Sequence, residues 1–180
     1  MNDTLLADAP ELPLDAPDGY EMVDDQLKEK PMGAESDEIN STLLALMKVF
    51  VREHKLGFVF GAQTGYKCFP KKPKQVRKPD TSFVAAGRLK DNKPPKGDIT
   101  IVPDLIAEVV SPNDTYEDVT ARVADFKAVQ VKLIWVISPE TRTVLVRRAD
   151  GSCAELDETG TLSGEDVLPG FACPVAELFV

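Results

Sequence analysis

Residues 103–115, PDLIAEVVSPNDT, form the stretch of sequence that decides the fold. An apolar run from Leu105 to Val110 has a proline shortly before it and another shortly after it, which is typical of a strand buried inside a sheet. Side chains alternate between the two faces of a strand, so Glu108 lies inside this run on the same face as Asp104. An ionised carboxylate that is buried without a partner is strongly destabilising. We therefore expect Glu108 to be paired with a cation, protonated or bound to a metal ion.

Amphipathic helices are predicted on both sides of this strand. From Glu35 to His54 the apolar residues recur at intervals of three and four, and Gly57 follows as a C-terminal cap. The sequence NDT at 113–115 is well suited to cap a second helix, whose apolar stripe ends near Gln130. One helix precedes the buried strand and one follows it, so both can pack on the sheet.

Further strands are predicted where short segments are rich in aromatic and β-branched residues. The first segment, residues 20–30, and the last, residues 143–156, are each predicted to form a hairpin, the last with its turn at Asp150-Gly151. Mixing helices and strands in this order predicts an α/β or α+β domain with a mixed β-sheet flanked by α-helices. The predicted strand segments are residues 20–30, 58–62, 64–69, 82–87, 131–138 and 143–156.

The length of 180 residues suits one domain, which we place at residues 19–180. Residues 1–18 contain three prolines and five acidic residues without lysine or arginine, a composition that predicts a flexible acidic tail. No apolar run approaches the roughly 18 residues of a membrane span, and the acidic beginning differs from a secretory signal. We expect a cytoplasmic protein that does not enter membranes.

Carboxylates, lysines and arginines are the residues that remain for chemistry. His54 is the only histidine, and the three cysteines lie far apart, which argues against a disulfide framework or a structural zinc site. Asp80 follows a proline and precedes a predicted strand. Beside Glu108 it would form the usual arrangement for a hard cation such as Mg²⁺. Such an ion polarises a phosphodiester and lowers the pKa of an attacking water.

Arg122 interrupts the apolar stripe of the second helix, so its side chain is predicted to point inward and to come within reach of Glu108. A buried ion pair between these two residues is the structural alternative to metal binding. Three other residues are weaker candidates for the site, because each also has an ordinary structural explanation. These explanations are a favourable charge in the first turn of a helix, a local hydrogen bond beside a proline and a charged side chain that extends to water. These supporting candidates are Glu35, Asp104 and Lys127.

Charge is unevenly distributed along this chain of net charge -9. Residues 1–38 hold twelve acidic residues against two lysines, whereas residues 67–96 hold ten basic residues against two aspartates. The overall charge argues against nonspecific coating of nucleic acid. The basic stretch is either a solvated loop or a surface that contacts phosphates. The candidates for nucleic-acid binding are Lys71, Lys72, Lys74, Arg77 and Lys78.

A series of motifs along the chain resembles the Uma-type family of restriction endonucleases, a branch of the PD-(D/E)XK nuclease superfamily. The resemblance runs from about Tyr20 to Val180, and its most specific parts are PDLIAEVVSPND and VLPGF. It implies a restriction-endonuclease-like fold and a nuclease site that uses Mg²⁺ or Mn²⁺ on DNA. Asp80 then corresponds to the aspartate of the PD element, and Glu108 to the (D/E) element. The other matching segments are YEMVDDQL, EHKLGFVFGAQTGY, RKPDTSFV and VKLIWVISPETRTV.

The chain departs from the superfamily at the lysine position. The plain motif has a lysine two residues after the glutamate, where this chain has Val110. The resemblance implies that the lysine has moved to the following helix, at the position of Arg122. An arginine keeps the positive charge and stabilises a phosphate, but it is effectively never deprotonated. The identity of this residue therefore bears directly on whether the chain cleaves DNA.

Two other functions are compatible with the sequence. A non-catalytic nucleic-acid-binding or regulatory module would keep the fold, with Arg122 holding Glu108 in a structural ion pair. An interaction protein of the toxin-antitoxin kind would instead use the acidic tail to bind its partner. Many nucleases of this fold act as dimers, so a homodimer is a further expectation that rests on analogy alone.

Overall fold

A six-stranded mixed β-sheet is the centre of the computed structural model, which describes residues 16–30 and 32–179. In chain order the elements are β1 (Tyr20–Val23), β2 (Gln26–Glu29), α1 (Ala34–His54), β3 (Gly57–Gly61), β4 (Thr81–Ala85), β5 (Leu105–Val109), α2 (Tyr116–Ala128), β6 (Leu133–Ser138), β7 (Thr143–Arg148), β8 (Cys153–Leu156), β9 (Thr161–Ser163) and β10 (Ala172–Pro174). Within the sheet the order is β3-β4-β5-β6-β7-β8, and only β5 and β6 run parallel. The two predicted hairpins, β1-β2 and β7-β8, are confirmed.

Strand β5 is buried on both faces, as the apolar run predicted. Leu105, Ala107 and Val109 belong to the core beneath α1. Ile106 belongs to the core on the opposite face, together with Phe126 of α2. A helix therefore covers each face of the sheet, and the predicted α+β architecture is confirmed.

Helix α1 packs its predicted apolar stripe on the sheet, but its C-terminal cap differs from the prediction. Lys55 adopts the left-handed conformation that ends the helix, with φ of 55°. Gly57 instead begins β3 with φ of 148°, and a Cβ atom there would lie 2.2 Å from the carbonyl oxygen of Val84. Glycine is required at this position because the neighbouring strand passes too close for any side chain.

Helix α2 begins where the sequence NDT predicted. The Thr115 hydroxyl accepts a hydrogen bond from the Asp118 N–H, and the Asp118 carboxylate accepts one from the Thr115 N–H, forming a capping box. The helix ends at Ala128, two residues before Gln130. In the part of the chain that the structure describes, neither helix is long and apolar enough to cross a membrane.

Some predicted elements differ from the structure. The segment 64–69 is not a strand: Tyr66 alone forms single bridges, to Arg77 and Ile99, and Pro70 lacks the N–H that would extend a ladder. The pair β9-β10 was not predicted. Of the predicted tail only residues 16–18 are described, and Ala16 is buried against Met22 and Val76. The expectation of a flexible tail otherwise falls on residues outside the described part.

Candidate active site

Two buried carboxylates meet where β4 begins and β5 ends. Asp80 immediately precedes β4, and Glu108 is the fourth residue of β5, with side chains 1% and 0% exposed. The strands are antiparallel neighbours and Thr81 pairs with Ala107, so these two acidic residues are brought side by side. Asp80 Oδ2 accepts a hydrogen bond of 2.7 Å from the Val109 N–H. The sheet register therefore creates the pair that the sequence predicted.

Lys30 is the residue at this site that the sequence did not identify. It follows β2 directly, and its Nζ lies 2.9 Å from Asp80 Oδ1 and 3.0 Å from Glu108 Oε2. The same ammonium donates a hydrogen bond of 2.7 Å to the Lys78 carbonyl oxygen. The surrounding sequence QLKEK is polar, and all four residues of β2 are exposed. No local pattern distinguishes Lys30 from the other lysines of the chain.

Arg122 points inward from α2, as its place in the apolar stripe indicated. Its Nε donates to Glu108 Oε2 at 3.0 Å, and its Nη1 donates to Asp114 Oδ1 at 2.8 Å. The side chain is only 7% exposed, so these two bonds hold the guanidinium in a fixed position. Glu108 Oε2 is thus shared by two cations, Arg122 and Lys30.

The electrostatics of the site depend on burial and on the balance of four charges. The pKa of Glu108 is raised to about 7, chiefly by burial; this net rise already includes the opposing effects of Lys30 and Arg122 and the added effect of the Asp80 charge. Burial alone would lower the pKa of Lys30, but Asp80 and Glu108 outweigh it and raise that pKa. Among the described residues, Glu108 Oε1 has no hydrogen-bond partner although it is buried.

A polar cleft of about 230 Å³ lies beside the two cations of the site. It lies between the β1-β2 hairpin, the basic stretch of residues 67–96 and α2, and both Lys30 and Arg122 line it. Six acidic and five basic side chains line this cleft, so it offers a phosphate little net attraction by itself. A bound divalent cation would shift that balance in favour of a phosphate.

The oxygen atoms at the site fit a small, hard cation. Mg²⁺ is commonly held by one or two carboxylates and keeps several waters. Asp80 and Glu108 supply two carboxylates, and the unpartnered Glu108 Oε1 is an available ligand. In residues 16–30 and 32–179 no cluster of three or more His, Cys, Asp or Glu side chains is arranged to hold a metal ion. Any cation site here would therefore be a site with two carboxylates and water.

Among the described residues, none of the three supporting candidates forms a hydrogen bond or ion pair with Asp80 or Glu108; their contacts lie elsewhere. Glu35 and Lys127 are exposed on the outer surfaces of α1 and α2. Asp104 is buried, but it lies four residues before Glu108 along the extended chain, at a separation of about 13 Å. Asp104 lies at the opposite end of β5, where its carboxylate accepts hydrogen bonds from the Ala85 N–H at 2.9 Å and from Lys132 Nζ at 2.8 Å.

Replacing Asp104 with asparagine is expected to cost about 2 to 3 kcal/mol in the free energy of unfolding at pH 7, and to leave cation binding unchanged. Burial raises the pKa of Asp104, but hydrogen bonds from Ala85, Lys132 and Arg88 outweigh burial and hold that pKa below the ordinary 3.8. The stabilisation is therefore complete above pH 3.8 and is lost as pH falls below it. Urea unfolding of the wild type and of Asp104→Asn above and below this pH measures the difference in the free energy of unfolding. A difference that stays the same in acid would contradict a structural role for the ionised Asp104.

The predicted nucleic-acid-binding residues separate into two groups. Arg77 and Lys78 are buried, and Lys78 Nζ donates to the Ala16 and Pro17 carbonyl oxygens at 2.8 and 2.7 Å. Both side chains are therefore committed to bonds within the chain. The other three, Lys71, Lys72 and Lys74, are exposed.

Acidic residues of the β1-β2 turn partly neutralise this exposed group. Lys72 lies 2.9 Å from Asp24, and Lys74 lies 3.6 Å from Asp25. Both pairs are open to solvent, so salt screens them and a phosphate can compete for the lysines. Contact between the three exposed lysines and nucleic acid stays a prediction.

Comparison with known proteins agrees with this architecture. A solved structure of a "putative nuclease belonging to DUF820" from Anabaena variabilis superimposes with a TM-score of 0.76 over 89% of each chain, at 19% sequence identity. At this identity the likeness establishes a shared fold. A search among curated proteins found no significant match. The model of the Uma2 family, described as "Putative restriction endonuclease", matches residues 6–176, nearly the whole sequence. The chain therefore belongs to the Uma2 family.

Proposed function

We propose that this protein is a divalent-metal-dependent endonuclease that hydrolyses phosphodiester bonds in DNA. The observation that carries the proposal is the pair of buried carboxylates, Asp80 and Glu108, whose partners Lys30 and Arg122 line a polar cleft. Burying two like charges side by side is unfavourable unless cations neutralise them. Membership of a family of restriction endonucleases supports the proposal from an independent direction.

Each residue of the site has a role in this proposal. Asp80 and Glu108 would hold Mg²⁺ or Mn²⁺, which when bound supplies Lewis acidity for the phosphate and a lower pKa for the attacking water. Arg122 fixes the orientation of Glu108 and contributes positive charge beside the position of the scissile phosphate. Its guanidinium cannot act as a base, so Arg122 stabilises charge and does not transfer protons.

The proposal is tested by incubating the purified protein with supercoiled and linear DNA in Mg²⁺, in Mn²⁺ and in EDTA. Nicked or linear product is expected with either metal and none with EDTA. Cleavage that persists in EDTA would contradict metal dependence. If DNA stays intact in both metals, the endonuclease proposal is wrong for this chain.

A second candidate is a nucleic-acid-binding module without catalysis, and the contact between Arg122 and Glu108 favours it, because that contact suits a purely structural ion pair. This module would bind DNA in EDTA, and the binding would weaken as salt rises. Neutralising Lys71, Lys72 and Lys74 together would weaken it further and reduce its salt dependence. Fluorescence anisotropy measures the DNA affinity. If this affinity changes neither with salt nor with the neutralisation of the three lysines, the candidate is excluded.

A further inference from the structure

We infer that Lys30 governs cation binding at this site: its ammonium occupies the cation position between Asp80 and Glu108, and a divalent cation enters only when Lys30 withdraws. The inference rests on the proposed metal site and adds a residue that controls it. It concerns the resting state of the chain, so it is testable without DNA.

The contacts of the Lys30 ammonium are those of a bound cation. Three oxygen atoms surround Nζ at 2.7, 2.9 and 3.0 Å, from the Lys78 carbonyl, Asp80 and Glu108. Two of these three oxygens come from the carboxylates that would bind a metal. A lysine ammonium is a compact point charge, so it attracts both carboxylates from one position as a small cation would.

Lys30 and a divalent cation exclude each other from this position. An ammonium and a divalent ion that share the same carboxylates would be close together in a buried site, where repulsion between like charges is strong. Glu108 Oε1 is buried and unpartnered while Lys30 is in place. A divalent ion bound by both carboxylates would need the position between them that the Lys30 ammonium holds, so Lys30 would have to leave it.

Lys30 has a route out of the site, whereas Arg122 does not. Lys30 follows a strand whose residues are all exposed, and its side chain borders the polar cleft. Glu29 and Asp114 line the same cleft and are acidic groups near which the displaced ammonium could settle. Arg122 donates a hydrogen bond to Asp114 as well as to Glu108, and this second bond holds its side chain in place. The cation that withdraws is therefore Lys30.

The experiment compares Mn²⁺ binding to the wild type and to Lys30→Met by isothermal titration calorimetry, without DNA. Methionine keeps an unbranched side chain, one atom shorter than that of lysine, and removes the charge. We expect Lys30→Met to bind Mn²⁺ about tenfold more tightly or better, since the competing charge is gone. In EDTA this variant should unfold at a lower temperature than the wild type. Addition of Mn²⁺ should raise the Tm of the variant by more than it raises the Tm of the wild type.

Lys28→Met is the matched control, because it removes the same charge from the same hairpin. Lys28 pairs with Asp118 at the surface, with 53% of its side chain exposed, and does not contact the carboxylates. The control should bind Mn²⁺ as the wild type does. Lys30→Gln is a second variant in case Lys30→Met does not fold, and adding Glu108→Gln to either should abolish the tight binding.

The outcomes separate this inference from the proposed function. If the wild type binds Mn²⁺ and cleaves DNA but neither Lys30 variant binds Mn²⁺ more tightly, the inference is wrong and the function stands. If Mn²⁺ binds to none of these proteins, both the inference and the metal site are wrong. If only the Lys30 variants bind Mn²⁺, Lys30 controls the site and keeps the wild type in a metal-free state.

Discussion

Glu108→Gln is expected to abolish metal-dependent DNA cleavage, with a loss in rate of roughly a thousandfold or more, which corresponds to several kcal/mol of transition-state stabilisation. Glutamine has nearly the same shape but lacks the negative charge that would hold the cation. One amide oxygen remains to accept from Lys30 and Arg122, so the fold should survive. Initial rates of cleavage of supercoiled DNA in Mg²⁺ measure the effect, and circular dichroism reports the fold.

Glu155→Gln is the matched control for this change. Glu155 is also a glutamate within a strand of the main sheet, but it is exposed on β8, at the far edge from the site. The Glu155→Gln variant should cleave DNA at the wild-type rate. Equal rates for Glu108→Gln and the wild type would remove Glu108 from the mechanism.

Arg77→Met is expected to lower the free energy of unfolding by about 3 to 5 kcal/mol, because it leaves buried carboxylates without their cation. Arg77 joins two elements: its Nη1 donates to Glu21 Oε2 at 2.7 Å, and its Nε donates to Asp125 Oδ2 at 2.8 Å. Glu21 is 3% exposed and would keep only the Lys78 N–H as a partner among the contacts described. Thermal unfolding should show a decrease in Tm of about 6 to 20 °C.

Lys74→Met provides the comparison for Arg77→Met. Lys74 is a basic residue of the same loop, and it also pairs with an acidic residue of the β1-β2 hairpin, Asp25. Both members of this pair are more than half exposed, so its loss should cost less than about 1 kcal/mol. If the two variants lose the same stability, Arg77 does not hold the hairpin to the domain as its contacts indicate.

The sequence was most informative where apolar periodicity is strong. The run around Glu108 predicted a doubly buried strand, and the stripe of the second helix predicted that Arg122 points inward; both features are present. A charged residue inside an apolar pattern is conspicuous, because burial must then be explained by a partner. This is why the strand, the helix and the contact between Glu108 and Arg122 could all be expected.

The sequence was least informative where a polar segment is buried by distant elements. Lys30 and Lys78 lie in segments rich in lysine, which resemble solvated loops in every local respect. Lys30 is directed inward by the hairpin, and Lys78 is covered by residues 16 and 17. Contacts between residues about 50 to 80 positions apart leave no periodic trace, so the partner of each lysine could not be predicted.

The most direct test of the central claim, that Asp80 and Glu108 form the metal site of a nuclease, is a crystal structure of the protein soaked in Mn²⁺ with anomalous data collected. We predict an anomalous peak within coordination distance of both carboxylates, with the Lys30 ammonium displaced into the cleft. No peak between the two carboxylates at saturating Mn²⁺, with Lys30 still bridging Asp80 and Glu108, would contradict the claim that the wild-type protein binds the metal of a nuclease there.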